Sequence, residues 1–236
     1  AYTNFHYLRD VWRRTTEKDA LLGVGMTGIG SGRIQQFDLE ATSKLAVETN
    51  KYYATEIGVQ PSARITTVKP SGTTSCVLGT SSGVHAWHND YYIRRMRVGK
   101  NEAIYTYLTL RHPELVEDDF FKPETQAVIS IPQRAPNDGI LRHETSLELL
   151  ERVKDIYNRW IVPGHQQGNN THNVSCTVSV REEEWEEVGK WMWQNREYYN
   201  GIAVLPYFGG NYKQAPFEDI DKETFEGMFI KLKEVD

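Results

Sequence analysis

Strand-like and helix-like stretches alternate along this chain, and that alternation constrains its fold more than any single motif. Residues 63–68 (ARITTV), 126–131 (QAVISI), 172–180 (HNVSCTVSV) and 201–206 (GIAVLP) read as strands. Residues 100–111, 145–160, 181–196 and 221–235 read as the helices that follow them. Pro113 stops the first of these helices, and Pro132 is expected to close the strand before it. Thr145-Ser146-Leu147-Glu148 has the form of a capping box and marks a helix start. An earlier amphipathic helix over 36–57 places Leu39, Leu45, Ala46 and Tyr53 near one face. Strand followed by helix, repeated, is the signature of parallel strands joined by crossover helices, an α/β architecture. Sites in such folds lie at the carboxyl ends of the strands, here the loops after 68, 131, 180 and 206.

The loop after 68 is the richest of these. Lys69-Pro70-Ser71-Gly72-Thr73-Thr74-Ser75 crowds a lysine, a glycine and four hydroxyls into seven positions, before a short helix or turn near 74–79. Gly72 lets backbone approach a ligand, and Thr73 to Ser75 offer N–H and O–H donors to an anion. The order differs from a Walker A loop, and an ordinary N-cap turn uses the same residues. From the residues alone, phosphate cradle and helix cap stand level.

Other motifs are weaker. Gly23-Val24-Gly25-Met26-Thr27-Gly28 matches G-x-G-x-x-G, but Gly30, Ser31 and Gly32 follow at once and oppose the helix a dinucleotide fingerprint needs. A Gly-rich strand end and turn is the better reading. His85 and His88 lack partners at zinc-like spacing, so no metal site is expected. Tyr91-Tyr92-Ile93-Arg94-Arg95-Met96-Arg97 sets Tyr92, Arg94 and Met96 on one face of a strand and Tyr91, Ile93, Arg95 and Arg97 on the other. Arginines beside aromatics suit a phosphate, a carboxylate or a large flat cofactor; a half-buried edge strand with solvated arginines has the same pattern. Leu205 to Tyr212 ends a strand and turns at Gly209-Gly210, where a ligand or a plain turn fits equally. The glutamates at 182, 183, 184, 186 and 187 read as a solvated helix start.

Composition narrows the functions. Lys and Arg total 27 against 32 Asp and Glu, a net charge of −5, which argues against non-specific nucleic-acid binding. No apolar run reaches the length of a membrane span, and residues 1–10 lack a signal-peptide core. The chain begins without Met, which suggests a piece of a longer protein or a processed chain. Cys76 and Cys176 form no disulfide framework and are expected as free thiols in a reducing cytoplasm.

Taken together, Thr67 to Ser75, then Ser82-Gly83-Val84-His85, then Tyr91-Tyr92-Ile93-Arg94-Arg95, resemble the adenosylcobalamin-dependent (class II) ribonucleotide reductases. The triphosphate-reducing branch is the nearest match. Leu21 to Gly28 is similar to that family's Gly-rich barrel strand, and Asn211 to Glu218 to its late turn and following helix. The resemblance implies the C-terminal half of a ten-stranded α/β barrel, with 1–236 as a single partial domain and 1–20 peripheral to it. It implies reduction of the ribonucleotide 2′-hydroxyl by thiyl-radical chemistry that adenosylcobalamin initiates. By resemblance, Ser71, Gly72, Thr73, Thr74 and Ser75 hold the substrate phosphates. His85, Tyr91, Tyr92, Arg94, Arg95, Tyr207 and Tyr212 are the implied cofactor contacts. The implied partners are a ribonucleotide, the remainder of the reductase chain, and thioredoxin or a similar reductant.

Two departures limit what the chain does by itself. The family's radical cysteine sits in Asn-x-Cys-x-Glu, and neither Cys76 nor Cys176 fits. The family's C-terminal cysteine pair is also absent from these residues. No catalytic residue is therefore expected here, and the chain alone is expected to be inactive. A non-catalytic nucleotide- or cofactor-binding module and an unrelated phosphate-binding α/β-barrel enzyme stay open beside the reductase reading.

Overall fold

The computed structural model describes residues 4–6, 9–207 and 212–232. Among them are helices α1 (Asp10–Asp19), α2 (Leu39–Ile57), α3 (Thr74–Leu78), α4 (Ala103–Arg111), α5 (Ser146–Ile156), α6 (Trp185–Gln194) and α7 (Lys222–Phe229). The strands are β1 (Tyr91–Gly99), β2 (Val116–Asp118), β3 (Gln126–Arg134), β4 (Thr177–Val180), β5 (Ala203–Pro206) and β6 (Phe217–Asp219). Contacts divide the chain into two compact units. The first holds the described residues up to Ala86 together with His143–Tyr207; the second holds Trp87–Arg142 and the described residues beyond Tyr207.

The first unit is built on four extended segments lying side by side and parallel. Val24 bridges Thr66, Val68 bridges Val174, and β4 pairs with β5 in the register Val178 to Val204. The ladder is continuous at its centre: Val24 N–H donates to Ile65 O at 2.9 Å, and Ser175 N–H to Val68 O at 2.8 Å. Parallel neighbours need long crossovers, and α2, α5 and α6 lie in those connections. Val68, Val174, Val178 and Val180 are almost fully buried, as parallel strands covered by helices must be. They pack with Leu150, Val153, Ile156 and Ile161 in one apolar core.

Local chemistry explains where these helices begin and which side they bury. The Thr145 hydroxyl accepts the Glu148 N–H while the Glu148 carboxylate accepts the Thr145 N–H at 2.7 Å, so the expected capping box is formed. Such a cap is worth about 1 kcal/mol. The helix ends in a π-turn over Tyr157–Ile161. There the Trp160 carbonyl accepts hydroxyls from Ser43 at 2.9 Å and Thr66 at 2.6 Å. That capture fixes the buried face of α2 as Leu39, Ser43, Val47 and Ala54. The expected face is corrected: Leu45 and Tyr53 are 61% and 60% exposed.

The second unit is an antiparallel sheet in the order β2-β3-β1-β6. This corrects two expectations. Residues 126–131 do not join the parallel series; they pair antiparallel with β1, Arg94 opposite Ile131, and Pro132 lies inside the strand rather than ending it. Tyr91 to Arg97 is no edge strand, because β1 lies between β3 and β6. The loop after 131 therefore does not sit at the carboxyl end of a parallel strand. No helix among the described residues is long and apolar enough to cross a membrane.

Candidate functional site

The loop after the second parallel segment is held from within and open in front. Ser75 N–H donates to the Ser71 hydroxyl at 2.9 Å, and the Ser75 hydroxyl donates to Ser71 O. The Cys76 thiol reaches Gly72 O at 3.1 Å. These bonds curl Ser71 to Ser75 into the start of α3. Gly72, Thr73 and Thr74 are exposed, and among the described residues nothing accepts a hydrogen bond from their N–H groups. Three successive donors without acceptors, beside the exposed Lys69, can serve an anion. An added Cβ at Gly72 would meet nothing within 4 Å, so the approach to these donors is clear.

A turn over Ser81 to His85 lies against this loop. The Ser71 N–H donates to the Ser82 hydroxyl at 2.7 Å. Gly83 has φ +56°, and a Cβ there would lie 2.6 Å from Lys69 O, so only glycine lets the turn pack this closely. The Gly-rich segment before α2 supports the turn from the other side. The Thr27 hydroxyl donates to Ser81 O at 3.0 Å and accepts the Gly83 N–H at 2.9 Å. The expectation that no α-helix opens at Gly28 holds: two 3-10 turns, Ile29–Ser31 and Ile34–Gln36, come before α2. Sequence reasoning did not single out Thr27 or Ser82 as site residues.

The expected cofactor contacts are divided between the units. His85 and Tyr207 belong to the first unit; Tyr91, Tyr92, Arg94, Arg95 and Tyr212 belong to the second. His85 is bonded at both ring nitrogens, Nδ1 to Ser82 O at 3.1 Å and Nε2 to the Thr177 N–H at 3.1 Å. Tyr207 follows β5 and lies under the Arg181 guanidinium, 5.1 Å from its ring centre.

In the second unit, Tyr92 is buried and Tyr91 packs on Phe225 at 5.1 Å. The Arg95 side chain is only 9% exposed and is engaged by carboxylates, Glu218 at 2.5 Å and Glu117 at 3.3 Å. Burial pushes the Glu117 carboxyl up, but the Ser130 hydroxyl, Gln214 and Arg95 outweigh it and hold it below its ordinary value. Arg94 stacks on Phe217 at 4.3 Å. Tyr212 lines a cavity of about 620 Å³ with His88, Phe120, Arg142, Lys213 and Phe217. His88 stacks on Phe217 at 4.9 Å and meets Asp219 at 3.0 Å, and Arg142 meets the same carboxylate at 2.6 Å. Flat apolar rings edged by amide, guanidinium and ammonium groups suit one rim of a large amphipathic ligand. Gly209 and Gly210 lie outside the described residues. No cluster of His, Cys, Asp or Glu able to hold a metal occurs among the described residues.

The cysteines differ sharply. Cys76 is exposed on α3 and Cys176 is buried. Burial pushes the Cys176 thiol up to about 12, which leaves it protonated and unreactive.

Comparison with known proteins gives a consistent set of relatives. No family model matches. The chain is 28% identical over 252 aligned positions to the adenosylcobalamin-dependent ribonucleoside-triphosphate reductase of Lactobacillus acidophilus, covering 94% of this chain and 33% of that protein. It is 30% identical over 188 positions to the enzyme of the same name from Lactobacillus leichmannii, covering 78% of this chain and 24% of the relative. The fold is similar to that of a crystal structure of a B12-dependent (class II) ribonucleotide reductase, with a TM-score of 0.77 at 23% identity, over 94% of this chain and 34% of the other. The chain thus spans about a third of the length of the curated relatives it matches. The resemblance read from Thr67 to Arg95 is borne out.

Proposed function

We propose that this chain, a relative of the adenosylcobalamin-dependent ribonucleoside-triphosphate reductases over nearly its whole length, supplies the substrate-phosphate loop of such an enzyme. Its four parallel segments would form part of a ten-stranded α/β barrel that the rest of the protein completes. The substrate is a ribonucleotide, in the triphosphate form by likeness to the named relatives. The observation that carries the reading is the trio of outward N–H donors at Gly72, Thr73 and Thr74, at the carboxyl end of a central parallel segment. That is where α/β folds place their ligands.

Adenosylcobalamin comes with this reading. The cavity beside Tyr212, Phe217 and Arg142 fits a corrin edge in chemistry, offering ring faces to its apolar plane and polar groups to its amides. When bound, the cofactor supplies the radical that starts the reduction. The residues of this chain bind and orient: Lys69 and the loop N–H groups hold phosphate, and the second unit offers the cofactor surface. Thioredoxin or a similar reductant and the rest of the reductase chain complete the system, in the cytoplasm.

Gly72→Leu tests the proposal. The position has no neighbour within 4 Å and no left-handed backbone, so the fold tolerates the side chain. A leucine there stands in front of the donors. Ribonucleoside triphosphate affinity, read by calorimetry, is expected to fall at least about tenfold, roughly the loss of one charge-assisted hydrogen bond. Unchanged affinity would remove the phosphate assignment.

A further inference from the structure

The loop Ser71 to Ser75 is short and its middle, Gly72 to Thr74, is exposed, so something must hold its donors in one arrangement. Its local bonds join Ser71 to Ser75, Gly72 to Cys76 and Thr73 to Val77. Two bonds tie it to the segment beyond α3: the Thr80 N–H donates to Ser75 O at 2.9 Å, and the Ser71 N–H donates to the Ser82 hydroxyl at 2.7 Å. Removing that acceptor frees the first residue of the loop.

Ser82 is itself held in three directions. Thr27 takes both neighbours of Ser82, accepting from Gly83 N–H and donating to Ser81 O. Gly28 N–H reaches Ser81 O at 2.9 Å, and Ile29 N–H reaches Gly83 O at 3.1 Å. Arg152 Nε donates to Val84 O at 3.0 Å. The third direction is His85. Its Nε2 faces the Thr177 N–H, which can only donate, so Nε2 is the acceptor. Nδ1 then carries the proton and donates to Ser82 O at 3.1 Å. The neutral ring is a strut between the Ser82 turn and the first residue of β4, with both polar atoms in use.

We infer that Ser82 and His85 are positioning residues for nucleotide binding: Ser82 sets the shape of the phosphate loop through Ser71, and His85 braces Ser82 against β4. The inference rests on the reading of Ser71 to Ser75 as the phosphate loop. It assigns His85 to the substrate side of the site rather than to the cofactor.

The test uses the whole protein that carries this chain, with a ribonucleoside triphosphate and cobalamin as separate probes. Ser82→Ala and His85→Phe are each expected to weaken nucleotide binding about fivefold, the worth of one neutral hydrogen bond. Cobalamin affinity, read from its absorption spectrum, should change less than about twofold on the same scale. Ser82→Thr keeps the hydroxyl and His85→Gln keeps an acceptor of similar reach, and both should recover most of the nucleotide affinity. With no nucleotide present, amide hydrogen exchange at Ser71 should speed up in Ser82→Ala. A merely local folding defect would not be relieved by the conservative replacements. Nucleotide affinity unchanged in Ser82→Ala, or no change in Ser71 exchange, overturns the role of Ser82. Cobalamin affinity falling as far as nucleotide affinity in His85→Phe overturns the role of His85 and makes it a cofactor contact. Failure of the unsubstituted protein to bind the nucleotide would instead remove the phosphate reading itself, and the inference with it.

Discussion

Arg152 holds Glu144 with both terminal nitrogens at 2.7 Å and turns its Nε to the carbonyl of Val84. The pair is nearly buried, with side chains 7% and 11% exposed. Each of the three guanidinium nitrogens thereby makes a bond, and Nε fixes a backbone carbonyl next to His85. Buried pairs of this kind contribute little net stability when complete, but are costly to break by halves. Arg152→Met leaves the Glu144 carboxylate buried without its partner. Unfolding of the first unit, followed by tryptophan fluorescence in denaturant, is expected to show a loss of about 3 kcal/mol. Arg152→Met combined with Glu144→Leu is expected to regain most of that loss.

Two carboxylates secure the start of α5, and they tie its stability to acid. The Thr145 N–H, and then its hydroxyl, hold the Glu148 carboxyl below its ordinary value. Glu184 accepts the Ser146 N–H at 2.9 Å and the Ser146 hydroxyl at 2.8 Å. Burial pushes the Glu184 carboxyl up, but those bonds and the Arg181 N–H hold it down. A carboxyl depressed in the folded state stabilises above its unfolded pKa, about 4.3 for Glu, and that contribution disappears as pH falls through the folded value. The contribution of these two carboxyls is therefore expected to be level from neutrality to about pH 5 and to decline below it. Glu148→Gln should be less stable at pH 7 and decline less steeply in acid, measured by denaturant midpoints across pH.

What the sequence made legible follows from which interactions are local. The capping box from Thr145 to Glu148 spans four consecutive residues and could be read directly. Residues 63–68 carry enough β-branched character to be read as extended, and they bridge on both sides. The Val24 segment was legible as a Gly-rich strand end, but its neighbours in the sheet were not. Its place depends on bonds to Ile65 and Thr67. Residues 126–131 misled because an apolar run reports burial, not the direction of its partner. Ser43 on the buried face of α2 had no signal at all, since its partner, Trp160 O, is 117 residues away. The same holds within the site. Ser71 to Ser75 form one contiguous motif, whereas the support from Thr27, Ser82 and Thr177 comes through bonds that only the fold creates.

The two thiols give a direct check on the chemistry this chain can and cannot perform. Cys76 is exposed and Cys176 is buried with its thiol pushed up to about 12. Titration with a thiol reagent at pH 8 is expected to modify Cys76 quickly and Cys176 only on unfolding. A buried protonated thiol and an isolated surface thiol do not make an electron-donating pair. The 236-residue chain by itself, given ribonucleoside triphosphate, adenosylcobalamin and a dithiol, is accordingly expected to form no deoxynucleotide. Detection of product by chromatography would overturn this.

Tyr212→Ala tests the proposed cofactor surface independently of the proposed phosphate loop. The tyrosine is 56% exposed, so its removal costs the fold little, yet it lines the cavity beside Phe217 and Arg142. An aromatic face against a flat ligand is worth about 1 kcal/mol. Tyr212→Ala in the whole protein is therefore expected to weaken cobalamin binding about fivefold while leaving ribonucleotide affinity within about twofold. Gly72→Leu should show the opposite pattern. If the two substitutions moved both ligands together, the division of labour between Ser71 to Ser75 and the Tyr212 cavity would be wrong. If Tyr212→Ala left cobalamin binding untouched, the cofactor would have to be sought on other residues of the second unit.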